Sequence, residues 1–361
     1  MRKHTLRIAQ VAANTEPVPP QGYGGTELVV SLLTEELVKR GHEVTLFAAG
    51  TSITKAKLVT VVDQPLRAGD RYNMLQWPAF DMQTLIELEN RQDQFDIVHS
   101  HMSWTALPFL DRLKCARLTT MHNQVKGYCE DIYLRYKHLP YVAISDSFRS
   151  LNKPDQLNYV GTVYNGIKVE DFHSKYKNDQ RDSLLFIGRL CKDKGTAEAL
   201  DIAKQLNLPI TVAGKVDKND ESYFEQEVKP RLANGDANFI GEVNHEQKVE
   251  LYGKAMAVVY PINFNEPFGL VMAEALAAGT PVMAFDRGSV REILDDPKTA
   301  IIGSSVEQLV RRFPELKNIN RNDCVERVQK LFSVEKMVDA YEAIYEQLLN
   351  KRNCELSATA S

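Results

Sequence analysis

The chain has 361 residues, 43% of them apolar and 25% charged, which exceeds what one hydrophobic core usually organises and is ample for two. Forty-four basic against forty-eight acidic residues leave a net charge of −4, so there is no global attraction to nucleic acid or anionic lipid. No apolar stretch approaches the eighteen residues of a membrane-crossing helix. The five cysteines are odd in number, lack a C-x-x-C pair and fit reduced thiols in a cytoplasmic setting.

The opening MRKHTLRIAQVAAN has a basic tip and a short apolar run broken by Arg7. That predicts a first strand over residues 6–12 and not a secretory leader. A loop containing Pro17, Pro19 and Pro20 leads into Gly22-Tyr23-Gly24-Gly25-Thr26-Glu27 and a helix over 26–40 that Gly41 stops. Short apolar runs predict strands over 44–48, 97–101, 117–121, 141–144 and 160–164. Residues 63–90 are less regular and read as an insertion or lid. After Asn165-Gly166 the polar run 173–182, HSKYKNDQRD, is the best linker.

Strands then follow over 184–187, 210–213, 238–240, 257–260, 282–285 and 300–302, and an amphipathic helix over 334–349 closes the pattern. Strand–helix alternation in both halves predicts the α/β class with two doubly wound domains.

Two segments of the second half carry the chemistry. In PINFNEPFGLVMAEALAAGTP, Glu266 sits in a loop beside Pro267, a residue suited to the first helical position, and Glu274 lies about two turns into the helix. The start of such a helix attracts phosphate, and Glu274 can reach a ribose lying along it. Leu270, Val271, Ala273, Leu276 and Ala277 also suit a plain core helix. In SLLFIGRLCKDKGTAEALDIA, Arg189 and Lys194 fall just past a buried strand, where open α/β sheets bind ligands. An arginine fork and a lysine point charge can converge there on one diphosphate, although two solvated surface cations would give the same letters.

The first half offers Gly24 and Gly25, which let bare backbone approach an anion at a helix start. Thr26 can cap that helix, and Glu27 in the first turn complements its dipole. His122 sits just past a predicted strand. His99 and His101 lie at strand spacing and face one side; a packed strand end explains them better than a metal pair, because no third ligand is evident.

Together these segments resemble the retaining glycosyltransferases of the GT-B fold, of the group 1 (family 4) type that includes glycogen synthases and sucrose synthases. The family's G-R-x-x-x-x-K-G and E-x7-E motifs appear as Gly188-Arg189…Lys194-Gly195 and Glu266…Glu274, and its glycine loop as residues 22–27. The resemblance spans almost the whole chain. It implies an acceptor-side Rossmann-like domain over 1–170, a nucleotide-sugar domain over 180–335, a cleft between the two facing domains, and a final helix, 340–361, that crosses back to the first.

The resemblance also implies roles. Arg189 and Lys194 neutralise the leaving diphosphate, Glu266 binds sugar hydroxyls and Glu274 the ribose. Phe268, Gly269 and Leu270 offer backbone N–H groups, His122 contacts the donor sugar, and Gly24 and Gly25 approach the diphosphate or the acceptor. No D-x-D is present, so the expected hexosyltransferase is metal-independent and cofactor-free. Its partners would be a nucleotide-sugar donor, UDP-glucose-like, and a small-molecule or glycan acceptor, with no nucleic acid and no integral membrane segment.

The YGGTE loop with NEPFGLVMAEA is similar to a bacterial subgroup acting on small soluble acceptors. Ile262, Asn263 and Phe264 depart from the family's small polar and acidic residues beside the sugar and base. Val290-Arg291-Glu292 lacks the proline of V-P-E. Rival readings are a sugar-nucleotide-binding GT-B protein without transferase activity, a sugar-nucleotide epimerase, and a phosphorylase-like enzyme with a pyridoxal phosphate on lysine.

Overall fold

A computed structural model describes residues 5–22, 24–68, 71–72, 74–153, 155–172, 181–233 and 236–359. It divides into two units, Met1–Gly166 with Val334–Ser361, and Ile167–Ser333. Residues 173–180, most of the expected linker, lie outside the described residues, as does Tyr23 of the glycine loop.

The first unit is built on seven strands: β1 (Arg7–Val11), β2 (Glu43–Phe47), β3 (Lys57–Val59), β4 (Ile97–Ser100), β5 (Ala116–Met121), β6 (Tyr141–Ala143) and β7 (Tyr159–Thr162). Their order is β3-β2-β1-β4-β5-β6-β7, and every pairing is parallel. The central strands are apolar on both faces, as a sheet covered on both sides requires; Ile8, Ala9, Val11, Ile97 and Val98 are all fully buried. The pattern misses β3, an edge strand of three residues that begins on the exposed Lys57.

The second half of the stretch expected to be an irregular insertion is a helix, Trp77–Asn90. Pro78 in its first turn starts it. Its inner face mixes Leu85 and Leu88 with the buried polar Asp81 and Thr84, which blurs the apolar period that marks a helix in sequence.

The final helix is longer than its pattern, Val334–Thr359. It packs on the first unit through Tyr341 and Tyr345, both fully buried. Arg40 bonds Asp339 at 2.8 Å, Glu342 at 2.7 Å and the Glu335 carbonyl at 3.0 Å, and His42 Nε2 meets Glu342 at 2.9 Å. The Glu342 side chain is 6% exposed, so removing Arg40 takes the guanidinium from a buried carboxylate and leaves it with His42. Arg40→Ala is therefore expected to destabilise the first unit by about 3 kcal/mol, measured as a lowered denaturation midpoint followed by tryptophan fluorescence.

The second unit repeats the plan with β8 (Ser183–Ile187), β9 (Ile210–Ala213), β10 (Ala237–Gly241), β11 (Ala255–Tyr260), β12 (Val282–Phe285) and β13 (Ala300–Gly303). The order is β10-β9-β8-β11-β12-β13, again all parallel. Leu184, Phe186, Val212, Val259 and Met283 form its core with Ile202 of the Thr196–Leu206 helix. Both sheets reverse direction of winding once, between β1 and β4 and between β8 and β11. Ligands of open α/β sheets bind at such reversals, beyond the carboxyl ends of the strands.

Candidate functional site

Gly188 and Arg189 follow β8, and residues 261–266 follow β11, so both motifs leave the two strands that flank the reversal of the second sheet. Backbone packing joins them. Gly195 caps the Thr196–Leu206 helix at φ +74°, and a Cβ there would lie 1.9 Å from the Pro261 carbonyl oxygen. Asn263 N–H donates to the Asp193 carbonyl at 2.7 Å, and its side chain donates to that of Lys192 at 3.0 Å. This contact brings Lys194 Nζ to 2.8 Å from Glu266 Oε2 and 3.2 Å from the Tyr260 hydroxyl, over the Phe264 ring at 4.7 Å. Tyr260 also donates to Glu266; burial first, then the Glu266 charge, push its phenol far above the usual range, so it stays a donor.

Arg189 takes separate partners, Asp217 at 3.4 Å and Asp220 at 3.9 Å. Burial opposes ionisation of Asp217, but Lys215 and Arg189 hold its carboxyl below the ordinary value. The two cations expected to converge thus each rest on their own carboxylates.

The Glu266 loop is clamped by residues that the sequence reading passed over. Gly288 has φ +59°, and a Cβ on it would lie 2.4 Å from both the backbone N and O of Glu266. Next to it, Ser289 N–H donates to the Glu266 carbonyl at 2.9 Å, and Ser289 Oγ donates to that of Phe268 at 2.8 Å. A Gly-Ser pair between β12 and an apolar helix start was the available signal. Gly288→Ala is expected to displace Glu266 and cut turnover by more than tenfold, because neither clashing backbone atom can rotate away. Steady-state rates beside a denaturation curve check this.

The following helix begins at Leu270, capped by Gly269 at φ +83°. It does not begin at Pro267 as expected; the left-handed turn at Gly269 comes between. The N–H groups of Leu270 and Val271 have no intrahelical acceptor, and they mark the positive end of the helix dipole. Phe268, just before this turn, is buried, its ring 5.8 Å from that of Phe332. Glu274 stands one turn in rather than two and is buried, accepting from Lys248 Nζ at 2.5 Å and from the Tyr252 hydroxyl at 2.9 Å. Both partners come from the His245–Lys254 helix and were not foreseen. Cations, helix amides and buried carboxylates on one strand-end surface suit a phosphorylated, hydroxyl-rich ligand.

In the first unit Gly24 is the N-cap of the Gly25–Lys39 helix, at φ +150°, and Gly25 is its first residue. Thr26 is therefore inside the helix and does not cap it. Glu27 stands in the first turn and is buried, with Thr15 Oγ1 at 3.4 Å; burial raises its carboxyl pKa against the pull of its own backbone N–H.

His99 lies in β4 and His101 just past its carboxyl end, rings 4.1 Å apart, and His122 follows β5 with its ring 5.3 Å from that of His101. Both nitrogens of His99 and of His101 are engaged in hydrogen bonds, to Tyr345 and Thr120 and to His122 and Gln10. These occupied nitrogens agree with a packed strand end. Among the described residues no group of three His, Cys, Asp or Glu is placed to hold a metal ion, and no helix is long and apolar enough to cross a membrane.

Two protein families match the chain in tandem: Glycosyltransferase Family 4 over residues 23–157 and Glycosyl transferases group 1 over residues 168–331. Among curated proteins, the chain is similar to an uncharacterised glycosyltransferase of Methanocaldococcus jannaschii, with 26% identity over 80% of this chain and 83% of that protein. It is similar also to the O-antigen chain mannosyltransferase C of Escherichia coli, with 24% identity over 92% and 97%. Among solved structures, Anabaena HepE in complex with UDP and glucose superposes with a TM-score of 0.73 at 13% identity, covering 94% of this chain and 99% of that one.

Proposed function

We propose that this chain, a group 1 glycosyltransferase of the GT-B type, works in the cytoplasm, transferring a hexose from a nucleoside-diphosphate sugar to an acceptor hydroxyl with retention and without a metal ion. The observation that carries the reading is the Lys194–Glu266–Tyr260 cluster beside the amide end of the Leu270–Ala277 helix. UDP-glucose is the first donor to test, by analogy with the UDP and glucose held by Anabaena HepE; the Escherichia coli relative is a mannosyltransferase, so GDP-mannose is the second. A small soluble molecule is the acceptor class.

Breaking the anomeric C–O bond builds negative charge on the diphosphate and positive charge on the sugar ring. Lys194, Arg189 and the amides of Phe268, Gly269 and Leu270 stabilise the first, because preorganised donors need no reorganisation during reaction. Glu266 accepts from sugar hydroxyls and Glu274 from the ribose. His122 contacts the donor sugar, and Gly24 and Gly25 let backbone approach an anion. Retention follows from attack on the face that the leaving group vacates, a diphosphate oxygen taking the acceptor proton.

Thermal-shift screening of nucleoside-diphosphate sugars, then mass spectrometry of acceptor mixtures with the retained donor, tests this. Anomeric configuration of the product is read by NMR, and the rate is measured with and without chelator. Inversion, or activity abolished by chelator and restored by Mn²⁺, would overturn the corresponding part. Donor binding with neither transfer nor hydrolysis would favour a sugar-nucleotide-binding protein instead.

A further inference from the structure

Six hydrogen bonds link seven side chains of the first unit into one unbranched chain that ends at His122. His122 Nε2 lies 3.0 Å from His101 Nδ1, and His101 Nε2 lies 2.9 Å from Gln10 Oε1. Gln10 Nε2 donates to the Tyr345 hydroxyl at 3.1 Å, which is 2.8 Å from His99 Nδ1. His99 Nε2 meets Thr120 Oγ1 at 2.7 Å, and Thr120 Oγ1 meets the Tyr341 hydroxyl at 2.8 Å. Gln10, His99, Tyr341 and Tyr345 are fully buried, so each missing bond would leave an unsatisfied polar group at a cost of about 1–3 kcal/mol.

The His122 end of this chain has a direction. A neutral imidazole donates from one nitrogen and accepts at the other. The Gln10 carbonyl oxygen only accepts, so His101 carries its proton on Nε2. His101 Nδ1 must then accept, which puts the proton of His122 on Nε2 and leaves Nδ1 as a lone pair. Nδ1 has no hydrogen-bond partner among the described residues. On the other side, Gln10 Nε2 donates to the Tyr345 hydroxyl oxygen, which holds the amide with its carbonyl toward His101; that oxygen keeps a second lone pair, so the bonds from Tyr345 through His99 and Thr120 to Tyr341 can run in either direction. Burial holds His99 and His101 well below the usual histidine range and brings His122 down to about 4, so the rings stay neutral near pH 7.

We propose that Gln10, His101 and Tyr345 are positioning residues that hold His122 in the Nε2–H tautomer, displaying its Nδ1 lone pair to accept a hydrogen bond from a donor-sugar hydroxyl. The sugar contact rests on the transferase reading; the tautomer does not. A ring locked this way favours a sugar bearing a hydroxyl at that position over its deoxy or methoxy analogue, since only the hydroxyl can donate.

Long-range ¹H–¹⁵N spectra of the ¹⁵N-labelled full chain at pH 7, with no ligand, test the tautomer directly. The expected result is a protonated Nε2 and a bare Nδ1 at His122 and His101. A protonated Nδ1 at His122 overturns the proposal whatever the enzyme's activity. In Gln10→Leu, with folding checked by circular dichroism, His122 is expected to show mixed tautomers and the transfer rate to fall at least tenfold with nucleoside-diphosphate binding unchanged. A single Nε2–H tautomer in that variant overturns the positioning role, and if the variant does not fold the wild-type spectrum alone decides. Saturating UDP-glucose is expected to shift the His122 Nδ1 signal where UDP alone does not. Bound UDP-glucose without that shift overturns the sugar contact, whereas a failure of any nucleotide sugar to bind counts against the transferase reading and leaves the tautomer result standing.

Discussion

Lys194→Ala is expected to slow sugar transfer by about 10²–10³-fold while the chain remains folded, because a preorganised cation aimed at the leaving group is lost. The side chain is 24% exposed, so its ammonium reaches both Glu266 and the strand-end surface where a diphosphate would lie. Truncation also leaves the Glu266 carboxylate, 9% exposed at its side chain, held by the Tyr260 hydroxyl. Lys194→Met separates the two effects, keeping the aliphatic stem over Phe264 and Tyr260 without the charge.

Rates at saturating donor, UDP binding and a denaturation curve should be measured for both variants. Arg189→Ala should lower the rate at least tenfold, and less than Lys194→Ala, because Asp217 and Asp220 already share that guanidinium. Glu274→Ala should do the same while also orphaning Lys248 and Tyr252. Near wild-type turnover in all three alanine variants would end the functional assignment.

Gly195→Ala is the second large effect, and it acts on folding. The residue sits at φ +74°, which costs an L side chain about 1–2 kcal/mol alone. Its new Cβ would stand 1.9 Å from the Pro261 carbonyl oxygen, an atom of another strand's loop that cannot rotate aside. A total cost above about 4 kcal/mol is expected, or a loop pushed away from Glu266. Gly127→Ala is the control: nothing lies within 4 Å of its Cβ, and it is the first residue of a helix, so a change within about 1 kcal/mol is expected. The readout matters, because both tryptophans, Trp77 and Trp104, belong to the first unit. Fluorescence would miss a loss confined to the second, which amide exchange over Ser183–Ile187 reports. Wild-type protection there in Gly195→Ala would refute the packing argument.

The α/β class and twelve of the strands are legible in the sequence because buried parallel strands need continuous apolar runs, which stand out between polar loops. The strand that was missed, Lys57–Val59, is short and half-exposed at a sheet edge, where burial no longer selects apolar residues. The Trp77–Asn90 helix was hidden for a related reason: Asp81 and Thr84 point inward to meet Thr105 and Asn14, so its buried face is not its apolar face. Helix starts at Gly24 and Gly269 were misplaced by one to three residues, since a left-handed glycine can cap a helix without the side-chain signature that marks a cap.

Spacing along the chain determined which chemical groups this protein owns: an arginine and a lysine five residues apart after one strand, two carboxylates eight apart after another, and a histidine after a third. Tertiary structure alone decided what each of them touches. Gly288 and Ser289 press on Glu266, Lys248 and Tyr252 hold Glu274, and a buried path from Tyr341 fixes the ring of His122. Those partners lie 21 to 335 residues apart in the chain along individual contacts, and local propensity carries no information across such distances. Only backbone packing at glycines, and the need to satisfy every buried polar atom, select them.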